Sequence, residues 1–144
     1  MDTDTHAVPA GFERHFRQSP ATDPWEPIYM RRDGQAFSLG LTIDTPHCNA
    51  RGLLHGGIIT ALADNAMGLS CVLQMESVSA LTVNLSMDFL SIGKIGQWLE
   101  VRAVPAKLGR TLAFADAEIL ADGELVAKAS ATFRIVAKQG VVSA

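Results

Sequence analysis

The spacing of apolar residues changes twice along the chain, and each change predicts a different element. From Gln35, apolar Phe37, Leu39, Leu41 and Ile43 alternate with Ser38, Gly40, Thr42 and Asp44, which predicts a half-buried strand. Pro46 opens a loop, and Gly56-Gly57 then lead into residues 58–69, where apolar side chains fall on nearly every side of a 3.6-residue period. Such a helix is surrounded by protein, so it is expected at the core. Period two then returns: Leu81, Val83, Leu85, Met87 and Phe89 alternate with Thr82, Asn84, Ser86 and Asp88. A turn over 91–96 separates this strand from others over 98–106, 110–120 and 125–135. The last two are joined at Asp122-Gly123, a two-residue hairpin signal. A strand, one central helix and an antiparallel meander of four strands make an α+β arrangement. Ala113, Ala115, Ala117, Ala127, Ala129 and Ala131 are unusual in strands, and such small side chains let a helix approach a curved sheet closely.

Residues 1–34 follow neither period. Pro9, Pro20, Pro24 and Pro27 punctuate them, with Phe12, Phe16 and Trp25 as anchors, which predicts an N-terminal extension with a short helix over 12–17 and a Pro-rich stretch. The main domain is then 35–144, and 144 residues suit one core. Apolar residues are 48% of the chain and charged residues 19%, against about a quarter charged in an ordinary soluble protein, so a subunit interface is expected. A net charge of −3 with no basic block argues against nucleic acid as a partner. Cys48 and Cys71 make no disulfide framework and no leader pattern opens the chain, which points to the cytoplasm. The apolar run 53–75 is interrupted by His55, Asp64 and Asn65, so it reads as a buried helix and no membrane is expected.

Candidate chemistry gathers in Asn49 and the segment His55-Gly56-Gly57, followed by Asp64. Glycines opening a helix expose N–H groups with no partner inside it, and the macrodipole adds positive charge there, which suits an anion or a developing oxyanion. The alternative is a tight turn and close packing. Asp64 shifts the balance, because a carboxylate in an apolar helix is costly unless paired, solvated or given a task. Eight residues separate Gly56 from Asp64, roughly 12 Å along a helix axis. If both serve one site, the aspartate must come from a second copy of the chain, as antiparallel helices in a twofold dimer would arrange. No G-x-S-x-G elbow is present, and His47, Cys48, His55 and Asp64 match no zinc spacing, so neither serine catalysis nor a metal is expected.

The strand, the H-G-G-x-x-x-x-L-x-D helix and the following strands resemble the hotdog fold, in which an antiparallel sheet wraps one central helix. More specifically they resemble acyl-CoA thioesterases of the phenylacetic acid degradation (PaaI-like) and thioesterase superfamily member 2 type. The resemblance runs over about 35–137 and rests on Asn49, His55-Gly56-Gly57, Asp64, Thr82-Val83-Asn84-Leu85 and Gly109-Arg110-Thr111-Leu112-Ala113-Phe114. It implies hydrolysis of an acyl-CoA, without a cofactor, by a homodimer or a dimer of dimers. In that family pattern the Gly56 N–H, helped by Asn49, polarises the thioester carbonyl beside His55, and Asp64 of the partner chain acts as general base or nucleophile. Thr82 stands where the family often has Ser to hold the water. Gly57 belongs to the same binding region, and coenzyme A would run along Lys107, Leu108, Gly109, Arg110, Thr111 and Leu112, with contacts at Phe89 and Arg134. Simpler roles stand beside these: a cap for His55, a loop turn for Asn49, a strand-former's place for Thr82 and solvated charges for Lys107, Arg110 and Arg134. A non-catalytic acyl-CoA-binding module, a scaffold and a hotdog hydratase are the competing readings, the last fitting poorly with a histidine at a helix opening.

Overall fold

The computed structural model describes residues 7–138, and the ends of both expected segments, 1–6 and 139–144, lie outside it. Strands β1 (Glu13–Arg14), β2 (Tyr29–Asp33) and β3 (Ala36–Thr42) precede helix α1 (Gly56–Val72), and β4 (Val78–Phe89), β5 (Trp98–Leu108), β6 (Leu112–Ala121) and β7 (Glu124–Ala137) follow it. All seven strands form one antiparallel sheet in the order β1-β2-β3-β5-β6-β7-β4. The sheet curls around α1, whose Leu62, Ala63, Ala66, Met67 and Cys71 are buried. This is the expected hotdog arrangement of α+β elements. The alanines of β6 and β7 sit on the inner face, with Ala113, Ala115 and Ala127 buried to within 1%. The Asp122-Gly123 hairpin forms as predicted, both residues adopting positive φ (48° and 83°), which matches a two-residue turn to the twist of its strands.

Four expectations are corrected. The helix over 12–17 is instead strand β1, because Gly11 turns at φ 86° and the His15 N–H then donates to the Ile28 carbonyl, laying the chain beside β2. The four-strand meander holds only for β5-β6-β7. Strand β4 crosses to the far edge beside β7, since the Leu90 and Ser91 N–H groups donate to the Val126 carbonyl and the connection runs back beneath the start of α1, with the Leu54 N–H on the Gly93 carbonyl. Strand β3 is buried on both faces rather than one. The Trp98 ring lies over Gly40, where a Cβ would come within 2.2 Å of it, and the Ser38 hydroxyl donates to Glu100 at 2.8 Å, itself paired with Arg31 at 3.1 Å. Helix α1 is not covered all round, for Thr60, Ala61, Asp64, Asn65 and Gly68 form a half-exposed stripe.

The alternation of β4 is also interrupted. A β-bulge falls between Thr82 and Asn84, so Thr82 opposes Phe133 while Leu85 opposes Ala131. The extra residue, Val83, switches the strand's parity. Val78, Ala80 and Thr82 face α1 before it, and Leu85 and Met87 pack against the core after it, with the half-exposed Phe89 ring beside Gly56, whereas Leu81 points to the outer face beside Arg134.

Candidate active site

Gly56 is the first residue of α1, and His55 is its N-cap, accepting the Gly57 N–H on Nδ1 at 2.8 Å. That cap uses the Gly57 donor and leaves the Gly56 N–H with no acceptor among the described residues. Phe89 closes over this opening: a Cβ on Gly56 would meet its ring at 3.2 Å. Asn49 shapes the preceding loop, its Oδ1 accepting the Arg51 and Leu53 N–H groups at 2.9 and 3.1 Å. With Oδ1 committed, the amide's orientation is set and its Nδ2 hydrogens have no acceptor among the described residues. The cap and loop-turn roles weighed for His55 and Asn49 are therefore real, and they are what arrange the two donors.

Two turns further along, Asp64 is half-buried and accepts the Thr82 hydroxyl on Oδ1 at 2.7 Å. Its Oδ2 has no partner among the described residues. The bulge in β4 is what brings Thr82 to this face. Asp64 and Thr82 stand at one end of a cavity of about 450 Å³ running between α1 and β4. Gly68, Leu69, Val72, Val78, Ala80 and Phe133 form its apolar walls, and Arg17, Asn65, Ser79 and Lys138 its polar ones.

The sequence reading missed the residue that ties the N-terminal extension to this cavity. His15 is buried, contacts Asn65 Oδ1 through Nε2 at 3.1 Å and accepts the Arg17 N–H on Nδ1 at 2.9 Å, which makes Nε2–H the donor. Burial pushes the His15 pKa below its ordinary value, and Arg17 adds to that, while the Asn65 hydrogen bond and Glu26 oppose it. Its position in a segment read as helical and Pro-rich carried no periodic signal.

The expected coenzyme A segment forms one exposed corner. Lys107 and Leu108 end β5, residues 109–111 turn, and Leu112 begins β6. The Gly109 N–H donates to the Leu112 carbonyl at 2.8 Å, and a Cβ there would lie 2.6 Å from that oxygen, so the turn requires glycine. Arg134 is the cross-strand partner of Leu112 on one side and of Leu81 on the other, which sets it beside Arg110 and Thr111. Phe89 is seven residues along β4 from Thr82, roughly 23 Å of strand. One chain thus separates the site residues into two groups: Asn49, His55, Gly56, Gly57 and Phe89 at the opening of α1, and Asp64 and Thr82 with the 107–112 corner and Arg134 at the other end.

A sheet curled around one helix that opens on a free N–H and carries a carboxylate further along is the architecture of a hotdog-fold hydrolase. Residues 51–128 match the thioesterase superfamily family model. The chain is 39% identical over 130 residues to a Pseudomonas aeruginosa protein provisionally named an esterase, covering 89% of this chain and 97% of that one. It is 29% identical over 90 residues to human acyl-coenzyme A thioesterase 13, covering 61% of this chain and 64% of the relative. A Streptococcus mutans structure with acetyl-CoA bound superposes with a TM-score of 0.72 at 26% identity, over 79% of this chain and 92% of that one. The chain belongs to the thioesterase superfamily and is a thioester hydrolase. Among the described residues, no helix is long and apolar enough to cross a membrane.

Proposed function

We propose that the protein hydrolyses an acyl-CoA to a carboxylic acid and free CoA, at two equivalent sites each built across a twofold dimer interface. The observation that carries this is the separation of the free Gly56 N–H from the Asp64–Thr82 pair, eight residues and roughly 12 Å along one helix. A second chain with its helix antiparallel to the first sets each Asp64 opposite the other chain's Gly56. The edges of the sheet support that partner. The β1 edge is two residues long, but β4 presents twelve residues with an unpaired side, and an exposed edge of that length is a template for pairing. Val83 (60% exposed), Phe89 (54%), Leu90 (53%), Ile92 (54%) and Ile95 (52%) lie on or just after it, an apolar patch suited to burial against another copy.

Within such a site, the thioester carbonyl rests on the Gly56 N–H with the Asn49 amide as second donor. Asp64 Oδ2, left free by the Thr82 bond to Oδ1, takes a proton from water as the water oxygen bonds to the carbonyl carbon. The tetrahedral oxyanion is held by the helix opening, then the C–S bond breaks and the proton on Asp64 passes to the departing CoA thiolate. Lys107, Arg110 and Arg134, exposed on one corner, meet the nucleotide phosphates. Asp64→Asn tests the reading: the amide oxygen keeps the Thr82 bond but the base is gone. Hydrolysis of acyl-CoA thioesters is expected to fall about 100- to 10,000-fold while CoA still binds. Unchanged turnover would remove Asp64 from the chemistry, and CoA binding without turnover in the wild type would support the binding-module alternative.

A further inference from the structure

Taking the thioesterase reading as its basis, one glycine of α1 bears on the acyl group. Gly68 lies inside the helix, four residues before its end, where glycine is a poorer helix former than any residue but proline. Nothing within the chain requires it. A Cβ there would meet only the Phe133 ring, at 3.4 Å, an ordinary contact. Nor does the proposed partner helix require it. In the antiparallel register that sets Asp64 opposite the other chain's Gly56, that helix starts level with Asp64, four residues or roughly 6 Å short of Gly68. What lies over Gly68 is the cavity that begins at Asp64 and Thr82 and follows α1 to Val72, roughly 12 Å away. Gly68, Val72, Val78, Ala80 and Phe133 make an apolar floor along it, while Arg17 and Lys138 are exposed and keep their charges in water. With the thioester carbonyl at the Asp64 end, an extended carbon chain advances roughly 1.2 Å per bond, passing Gly68 at about its sixth carbon and reaching Val72 at about its tenth. A side chain at position 68 would stand in its way.

We infer that the missing side chain at Gly68 is a specificity determinant: it keeps the channel open, so that the substrates are CoA thioesters of straight acyl chains of about eight to ten carbons. The test compares kcat/KM for butyryl-, octanoyl-, decanoyl- and phenylacetyl-CoA. Each CH2 taken out of water is worth up to about fourfold, so octanoyl-CoA is expected to exceed butyryl-CoA at least about tenfold in the wild type. In Gly68→Leu that ratio should fall toward one. In Gly68→Ala it should fall about two- to fourfold, the scale of one methyl group, with Tm raised by a few degrees because alanine is the better helix former. Gly68→Ala keeps the test readable if leucine unfolds the chain. At the far end, Val72→Phe should cut decanoyl-CoA more than octanoyl-CoA. A wild-type ratio near one, a preference for phenylacetyl-CoA over octanoyl-CoA, or a ratio unmoved in the folded Gly68 variants overturns the inference while leaving the thioesterase reading intact. So does an equal loss on every thioester with dissociation of the dimer in sedimentation, which would give the space over Gly68 to the partner chain. No turnover of any of the four thioesters by the wild type overturns both.

Discussion

The cross-chain site can be tested by removing one hydrogen bond donor without disturbing the helix that carries it. Gly56 is the first residue of α1, the position where proline is best tolerated, and His55 before it has φ −78° and ψ 128°, as a residue preceding proline requires. In Gly56→Pro the backbone N–H is lost, and the Phe89 ring, 3.2 Å from the new Cβ, has only to give by a few tenths of an ångström. Loss of one oxyanion donor slows acyl transfer by about 100- to 1000-fold, so the variant should fold and be nearly inactive. Asp64→Asn is nearly inactive for the other half of the chemistry. In a dimer carrying one chain of each kind, one site inherits both lesions and the other inherits neither. Random mixing makes half the dimers mixed, so activity should recover to about a quarter of wild type after the two inactive proteins are unfolded and refolded together. Release of CoA thiol, followed with a colorimetric thiol reagent, measures it. If the co-refolded mixture is no more active than its parents, Gly56 and Asp64 do not meet across an interface.

Thr82→Val removes the hydroxyl on Asp64 Oδ1 while keeping the branched shape, and kcat should drop at least about tenfold; Thr82→Ser should recover most of it. His15 has its folded pKa lowered, so the stability it contributes is complete above about pH 6.5 and falls as pH drops from there toward the folded value. The loss of Tm between pH 8 and pH 5 should therefore be smaller in His15→Gln than in wild type, and equal losses would contradict the burial argument. Gly40→Val forces a side chain into the Trp98 ring and should destabilise by about 1–3 kcal/mol in urea titration, more than the same change at exposed positions.

What was legible in the sequence was whatever a single local pattern could encode. Helix α1, the Asp122-Gly123 turn and the alanine-lined inner face each follow from spacing or turn chemistry alone, and the Gly56-to-Asp64 interval along the helix is as the spacing set it. The losses came where a distant partner decided the outcome. Strand β3 alternates faithfully, yet Trp98 covers its polar side because Gly40 leaves room for an indole. Residues 13–14 have no strand pattern and become a strand because β2 offers an edge. The crossing of β4 to β7 is written in neither strand but in the connection beneath the helix opening. Thr82 was singled out by resemblance while its alternation set it opposite Leu85, and only the bulge reconciles the two. His15 was invisible because its value lies entirely in one contact with Asn65, fifty residues away in the chain.

The bulge at Val83 also sets which changes β4 can absorb. Strict alternation would turn either Thr82 or the Leu85–Met87 pair away from α1, so one strand holds the hydrogen-bond partner of Asp64 and core anchors on the same face only because it is one residue longer than its neighbour there. Substitutions along the strand cost only what their own side chains contribute. Removing a single residue between Thr82 and Leu85 has no such local effect: it restores a regular ladder, and with it forces a choice between a packed protein lacking the Asp64 partner and a protein that keeps the partner with its core anchors turned to water. Length, more than identity, is the constrained property of this segment.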